Sequence, residues 1–417
     1  MKFSFFFTAL LGTFLTTYSQ QSINSIYSNY GLGLENFNGG TYQKSMGGSS
    51  LVMSQELPNL KNPASYSKLK ITSFSIGAST TRQQINTRQN SSKGIATTVD
   101  YLSIALPSKY VGIGLGIHPY RSMGYLTTTT NEVNNVAQTT QKRGDGNVNR
   151  AYLSLSSQLI KGLHIGTEIH YNFGRLEEQT TSYNQTVFSN RELLQSEVSG
   201  FSFTTALLYE NEYRKNYVSR LTAIYEASNQ LEITNRQQLA SITTNTATGV
   251  DIIENENTNF LSIQDFRLPS KLTLGISIEK KRNWFMSSEM FFTKNNNYQD
   301  RIYSRQGVSH RHGMGIRTGG YYIPKYNSLT NYLQKITYRF GFEYHDLGIA
   351  INNQIISDFG MSFGMSLPLP RSSSQVDLGL KLGKRGQIAS SLIREDYATL
   401  SLGLTLGQKW FQKRKYD

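Results

Sequence analysis

Residues 162–174 alternate without a slip. Leu163, Ile165, Thr167, Ile169, Tyr171 and Phe173 fall on one face of an extended chain, with His164, Gly166, Glu168, His170, Asn172 and Gly174 on the other. Successive side chains of a strand point to opposite faces, so a period of two dictates β-structure with one apolar and one polar side. The pattern returns near the end, where Ala398, Leu400, Leu402, Leu404 and Leu406 oppose Thr399, Ser401, Gly403 and Thr405. Leu272, Leu274, Ile276 and Ile278 repeat it, as do Val376, Leu378, Leu380 and Leu382. Followed along the chain, it predicts about fourteen strands. They centre on residues 69–79, 97–107, 109–122, 146–160, 162–175, 198–211, 215–240, 258–281, 283–303, 311–323, 333–346, 356–368, 374–384 and 395–407. The apolar phase slips between Ile71 and Phe74, which predicts a bulge in the first strand.

The connections alternate in length. Tight turns at 107–109, 161–162, 211–215, 281–283 and 369–373 are interleaved with long polar stretches near 123–146, 176–197, 241–257 and 385–394. Short turns on one rim and long loops on the other are the habit of outer-membrane barrels, and an even strand count returns the C-terminus to the short-turn, periplasmic side. A soluble sandwich would bury the aliphatic face as core and has no reason to alternate its loops. At 417 residues the chain exceeds the roughly 250–300 at which a single soluble core splits into domains, yet no Pro/Gly linker marks a boundary. The mean hydropathy of −0.41 fits strands that alternate lipid-facing with lumen-facing residues. Beyond the N-terminus, no apolar run approaches the ~18 residues a spanning helix needs. The expected fold is therefore all-β, a transmembrane antiparallel β-barrel of the bacterial outer membrane. Trp284 and Trp410 are placed for an interfacial girdle.

The ends divide the chain further. Residues 1–19 read as a signal peptide, with Lys2 ahead of an apolar run at 5–15 and a small, polar end at 16–19. Residues 20–68 form an N-terminal extension, 69–407 the barrel, and 408–417 a basic tail expected in the periplasm. There is no cysteine to carry a lipid, a disulfide or a thiolate metal site. The formal charge of +14 is scattered rather than interleaved with aromatics on one surface, which excludes nucleic acid and suits outer-membrane lipid headgroups instead.

If the aliphatic face meets lipid, the polar face lines a lumen. That face carries His164, Glu168, His170, Glu279, Glu289, Arg339, Glu343, Asp377 and Lys381, whose ordinary role is mutual pairing that keeps the interior folded and hydrated. It also carries glycines at 112, 114, 116, 166, 275, 341, 360, 364, 379 and 383. A strand glycine often marks the close approach of another backbone. Residues 44–66, KSMGGSSLVMSQELPNLKNPASY, have neither strand alternation nor a helical stripe, and they supply that backbone: a hatch folded inside the barrel.

Catalytic motifs do not survive inspection. The run from Gly360 to Gly364, GMSFG, matches the hydrolase G-x-S-x-G pattern, but it lies within an alternating strand with no helix after it. His310 and His312 could share a strand face but lack a third ligand nearby, and Asp145, Asn147 and Asn149 start a calcium loop without its Gly and Glu. No enzyme activity, cofactor or metal is expected.

Met46-Gly47-Gly48, a spacer, and Asn62-Pro63-Ala64 just before the first strand resemble the N-terminal hatch of FadL-type long-chain fatty-acid transporters, the OMPP1/FadL/TodX family. GDGNVNRAYLSLSSQLIKGLHIG at 144–166, RLPSKLTLGISI at 267–278 and ISDFGMSFGMSLP at 356–368 extend the likeness to a divergent branch of that family. The resemblance implies fourteen strands and a lumen gated through Met46, Gly47, Gly48, Asn62, Pro63 and Ala64. It also implies passive uptake of long-chain fatty acids or other hydrophobic molecules, held in an apolar pocket near the outer loops and released laterally at a strand kink. The polar outer loops and the basic tail after Trp410 depart from that pattern. They raise a second expectation: an accessory subunit of a larger outer-membrane complex, such as the type IX protein secretion machinery, with other outer-membrane proteins as partners.

Overall fold

The computed structural model describes residues 25–133, 136–183, 189–214, 216–244, 251–295, 307–388 and 392–408. The expected signal peptide, Trp410 and all but the first residue of the basic tail lie outside them.

The strands are β1 (Thr72–Asn86), β2 (Ser91–Pro107), β3 (Val111–Val133), β4 (Val136–Ile160), β5 (Leu163–Tyr183) and β6 (Ser189–Tyr213). Next come β7, in two parts (Tyr217–Glu226, Gln230–Thr244), β8, likewise (Asp251–Arg267, Ser270–Lys280), and β9 (Trp284–Lys294). The ring is completed by β10 (Val308–His310, Gly313–Tyr322), β11 (Thr337–Ile351), β12 (Gln354–Pro368), β13 (Gln375–Arg385) and β14 (Arg394–Gln408). Each strand pairs antiparallel with the next, and β14 returns to β1 from Arg394↔Asn86 to Gln408↔Thr72, closing a 14-strand barrel. Closure leaves no unpaired edge for the bilayer, where an open backbone group would find no water.

The side chains sort as the alternation requires. In β5, His164, Gly166, Glu168, His170 and Asn172 face inward, and His164, Glu168, His170 and Asn172 are buried; Ile165, Ile169 and Tyr171 face out and are exposed. Leu274, Ile276, Ile278, Leu380, Leu382 and Leu400 likewise point outward, covered by no second sheet or helix layer. Tyr110, Tyr209, Tyr213, Tyr322 and Tyr338 are exposed beside Trp284 near the short-turn rim, where amphipathic rings suit the membrane interface.

Three expectations need correction, and a fourth falls partly outside the described residues. The stretches near 123–146, 176–197 and 241–257 are largely strand: β3, β4 and β6 span 23, 25 and 25 residues, against 11 for β9 and for β13. One side of the outer rim is a tall wall of hairpins, because Thr- and Gln-rich strands can continue pairing above the membrane with both faces wet. The first strand starts at Thr72, so Ile71 precedes it and causes the apparent slip; the bulge sits opposite, at Asp100, between the pairs Gly77↔Tyr101 and Ala78↔Val99. β11 begins at Thr337, not near 333, and residues 323–336 form a long connection on the rim of short turns. β9 ends at Lys294, and the rest of its expected span, from 296, is outside the described residues.

The wall parts between β2 and β3. β2 and β3 pair only from Leu102↔Ile117 to Pro107↔Gly112, although both run on outward, and β3 bends at a register shift between Pro119 and Arg121. The N-terminal segment occupies the edge so exposed: Leu34 and Glu35 pair with Ser122 and Arg121, and Ser25 bridges Gly124.

Candidate functional site

The site is the lumen and the segment that fills it. Residues 25–68 contribute short turns, a single α-turn at Thr41–Lys44 and a 3₁₀ turn at Pro63–Lys68, with no hydrophobic stripe of their own. The segment holds its shape through amide side chains. Gln43 Oε1 accepts from the Gly40 backbone (2.9 Å) while its Nε2 donates to Asn59 Oδ1 (2.6 Å). Asn59 Nδ2 in turn donates to the carbonyls of Ser50 and Val52, 2.8 Å each. Asn62 caps the 3₁₀ turn by accepting from the Ala64 N–H at 3.1 Å, and Pro63 fits the first turn because no donor is needed there.

Around this plug the wall was made close. Gly47 and Gly48 take left-handed conformations, φ 66° and 79°, and fold the Met46 corner against the inward glycines of β10 and β11. A Cβ on Gly341 would lie 2.0 Å from Gly47 N, and one on Gly166 would lie 2.3 Å from Ala64 N. Gly112 and Gly114 meet Tyr66, Gly275 meets Leu51, and Gly364 and Gly379 meet Ser45; Gly116, Gly360 and Gly383 instead make room for wall side chains.

Every expected lumen residue faces inward, and most serve the plug or its neighbours. Glu289 accepts from Ser50 N (2.5 Å), Ser50 Oγ (3.0 Å) and Ser49 Oγ (3.2 Å). His164 Nδ1 meets Ser67 Oγ at 2.7 Å, and Asn62 Nδ2 donates to Thr222 at 3.0 Å. Glu343 is the centre of a larger group: Arg317 (2.9 Å) and Lys381 (3.0 Å) reach it from the wall, Asn38 Nδ2 (3.0 Å) from the plug. Lys61 Nζ donates onward to Asn38 Oδ1 (2.9 Å) and to the Gly48 carbonyl (2.6 Å). Lys61 belongs to the plug, not to a spanning strand; burial, with the Arg317 charge behind it, pulls its ammonium down to about 7. Glu168 and His170 pair with each other (2.6 Å), Arg339 and Asp377 lie 3.8 Å apart with Ser366 between, and Glu279 pairs with Arg220 at 2.6 Å.

Sequence reasoning missed Arg220, Arg317, Glu210, Asp358, Arg385 and Glu395, each an inward strand residue. Lys68 of the plug pairs with Glu210, which pairs with Arg220 at 2.8 Å. Glu395 accepts from Ser25 Oγ (2.8 and 2.7 Å) and Ile26 N (2.7 Å), and Arg385 joins it to Asp358. The parity of their strands was the available signal. Ser362 of the GMSFG run accepts from Gly47 N at 3.0 Å, so that serine binds the plug. His312 accepts from the Asn295 backbone at 3.3 Å, and among the described residues no cluster of metal-ligating side chains occurs.

One level of the lumen is packed and another holds space. Where an apolar pocket near the outer loops was expected, Tyr120, Met123, Tyr125, Val148, Leu176, Val198, Leu231, Ile233 and Phe266 do converge, but they close on each other and on Leu32 of the plug. The open cavity beside them, about 230 Å³, is lined by Lys44, Asp100, Lys271, Arg317, Glu343, Asp358, Lys381 and Arg385. It is a charged vestibule. Leu34, Phe37, Phe291, Leu347 and Ile349 also border it, but a hydrocarbon entering it would have to strip water from these ions.

The comparisons agree with this architecture. The structure resembles the CymD monoaromatic hydrocarbon channel with a TM-score of 0.60 and 14% identity, over 89% of this chain and 98% of that one. The P. putida toluene transporter TodX gives 0.60 and 15%, over 91% and 100%. A Pseudomonas aeruginosa FadL homologue gives 0.55 and 11%, over 92% and 100%. At such identities the likeness is one of fold. No curated protein matches the sequence. The family model BamG matches it over residues 1–417, and the chain, a barrel with the fold of FadL-type outer-membrane proteins, belongs to the BamG family.

Proposed function

We propose that this barrel is a sealed accessory subunit of an outer-membrane protein complex, with its N-terminal segment serving as a fixed plug. The carrying observation is that the plug is tied through buried polar and ionic bonds to strands around the ring, while the remaining space is ringed by ionised side chains. Breaking one partner of such a buried pair costs about 3–5 kcal/mol, and several would have to part together for the plug to move.

The rim offers a contact surface for a partner. Residues 323–336 interrupt a series of short turns, and they are built rigidly: Lys325 N donates to Gln334 O (2.8 Å), Tyr332 OH to Pro368 O (3.0 Å), and Asn331 caps the turn at Tyr332–Lys335. This framework holds Leu329 at 96% exposure with Leu333, Tyr326 and Tyr332 around it and Lys325 nearby. An apolar, basic surface of this kind suits a partner with an acidic rim around an apolar pocket.

A second reading is uptake of hydrophobic molecules, fatty acids among them, with Met46, Gly47, Gly48, Asn62, Pro63 and Ala64 as the moving parts. The parted wall between β2 and β3 and the likeness to proteins titled hydrocarbon channel and toluene transporter favour it. One preparation separates the two. The protein is cross-linked in native outer membranes and purified, its partners are identified, and its extracted lipids are weighed by mass spectrometry. A stoichiometric membrane-protein partner, lost on Leu329→Glu/Leu333→Glu, with no bound free fatty acid, supports the subunit role. A partnerless barrel carrying fatty acid overturns it in favour of uptake.

A further inference from the structure

On the lipid-facing surface, across the β12–β13–β14–β1–β2 sector, lies a groove of about 650 Å³. Its shape follows from register. One row across the wall reads Met361, Leu382, Ala398, Arg82, Ile95, and the next row outward reads Phe359, Lys384, Asp396, Gln84, Lys93. Ala398 is the small residue between bulkier neighbours, so the furrow runs over it, with Phe359, Met361, Phe363 and Leu382 as an apolar bank on one side and Ile95 on the other. Below it Leu400, Leu402 and Leu406 continue the apolar belt, so the groove lies at the outer edge of that belt, on the side of the long hairpins.

The charges at this height are unusual. Arg82, Lys93 and Lys384 are exposed, and among the described residues none has an ion-pair partner. Asp396 is held by Arg394 (3.0 Å) and Asn86 (2.8 Å), and its Oδ1 is buried without a hydrogen-bond partner. Lys384 and Lys93 stand three strands apart, about 14 Å at ordinary strand spacing, with Asp396 and Gln84 between them.

We infer that this groove binds a phosphorylated glycolipid of the outer leaflet. A disaccharide headgroup phosphorylated at both ends spans the two cationic poles, and its acyl chains lie along Phe359, Met361, Phe363 and Leu382. Phosphate oxygens are strong acceptors for Lys and Arg, and at the edge of the bilayer such pairs are less screened than in water. A glycerophospholipid has one phosphate and would satisfy one pole.

The test uses the full chain purified in mild detergent from native outer membranes, with native mass spectrometry for bound lipid and heat-modifiable gel mobility for the folded barrel. Wild type is expected to retain about one bisphosphorylated glycolipid per barrel, falling about tenfold in Lys93→Glu/Lys384→Glu, since two surface cations are lost and reversed. Ala398→Trp, which fills the furrow and leaves the cations, loses the lipid too, whereas Lys93→Arg/Lys384→Arg keeps it. If the glutamate variant does not fold, Lys93→Gln/Lys384→Gln takes its place. Equal retention in all folded variants, or retention of glycerophospholipid in place of glycolipid, overturns the assignment.

Discussion

Gly166 and Gly341 set the tolerance between wall and plug, because a side chain at either would occupy the place of the plug's own backbone. Gly166→Val is expected to loosen the segment around Pro63 and Ala64 at a cost of about 1–3 kcal/mol for overpacking, with little change to the barrel. Faster labelling of a cysteine introduced at Ala64, in a barrel of normal heat-modifiable mobility, is the readout; unchanged labelling would refute the fit. Glu289→Ala leaves the Ser50 N–H and hydroxyl without their acceptor, and about 1–3 kcal/mol of plug stability should go with them. Lys61 links the plug to pH. Its native ammonium titrates near 7 and the unfolded one near 10.5, so over that window the unfolded chain binds more protons and stability rises with pH. Relative to Lys61→Met, wild type should therefore gain in urea midpoint between about pH 7 and about pH 10. Parallel profiles would show that Lys61 is not held as described. His164, Glu289 and Glu343 could be placed inward from the sequence because parity alone decides it. That Glu289 receives Ser50, or that Glu343 gathers Asn38, could not, because those partners lie 239 and 305 positions apart and meet only through the path of an irregular segment.

At the level of elements, the hairpins from β3 to β8 rise above the membrane while the plug sits lower, so the two should be separable. Trimming the β3–β4 tip, residues 128–141, removes outer ladder pairs and none of the plug contacts described. Such a variant is expected to fold and keep its plug, measured by the same cysteine labelling. Removing residues 44–62 should instead leave an ion-conducting barrel in planar bilayers, where the intact chain conducts poorly; two equally silent proteins would mean that other elements seal the lumen. The strands were legible because each alternates around the membrane belt. Their outer ends were not, since Thr, Gln and Asn on both faces read equally as loop or as wet strand, and only pairing distinguishes them. The connection at 323–336 escaped for the opposite reason: Leu333 reads as the start of a strand, but Asn331 caps a turn there instead.

Across the whole molecule, the start of the plug meets the last strand. Ser25 and Ile26 bind Glu395 of the last strand, and that strand closes the ring onto β1, which directly follows the plug. Assembly of the plug's leading end therefore depends on the closing strand. Ser25 and Ile26 gain their carboxylate partner only once a strand some 370 positions later is in place. A chain that zips its seam too early locks its own beginning outside, which makes the timing of that final suture the step most in need of supervision.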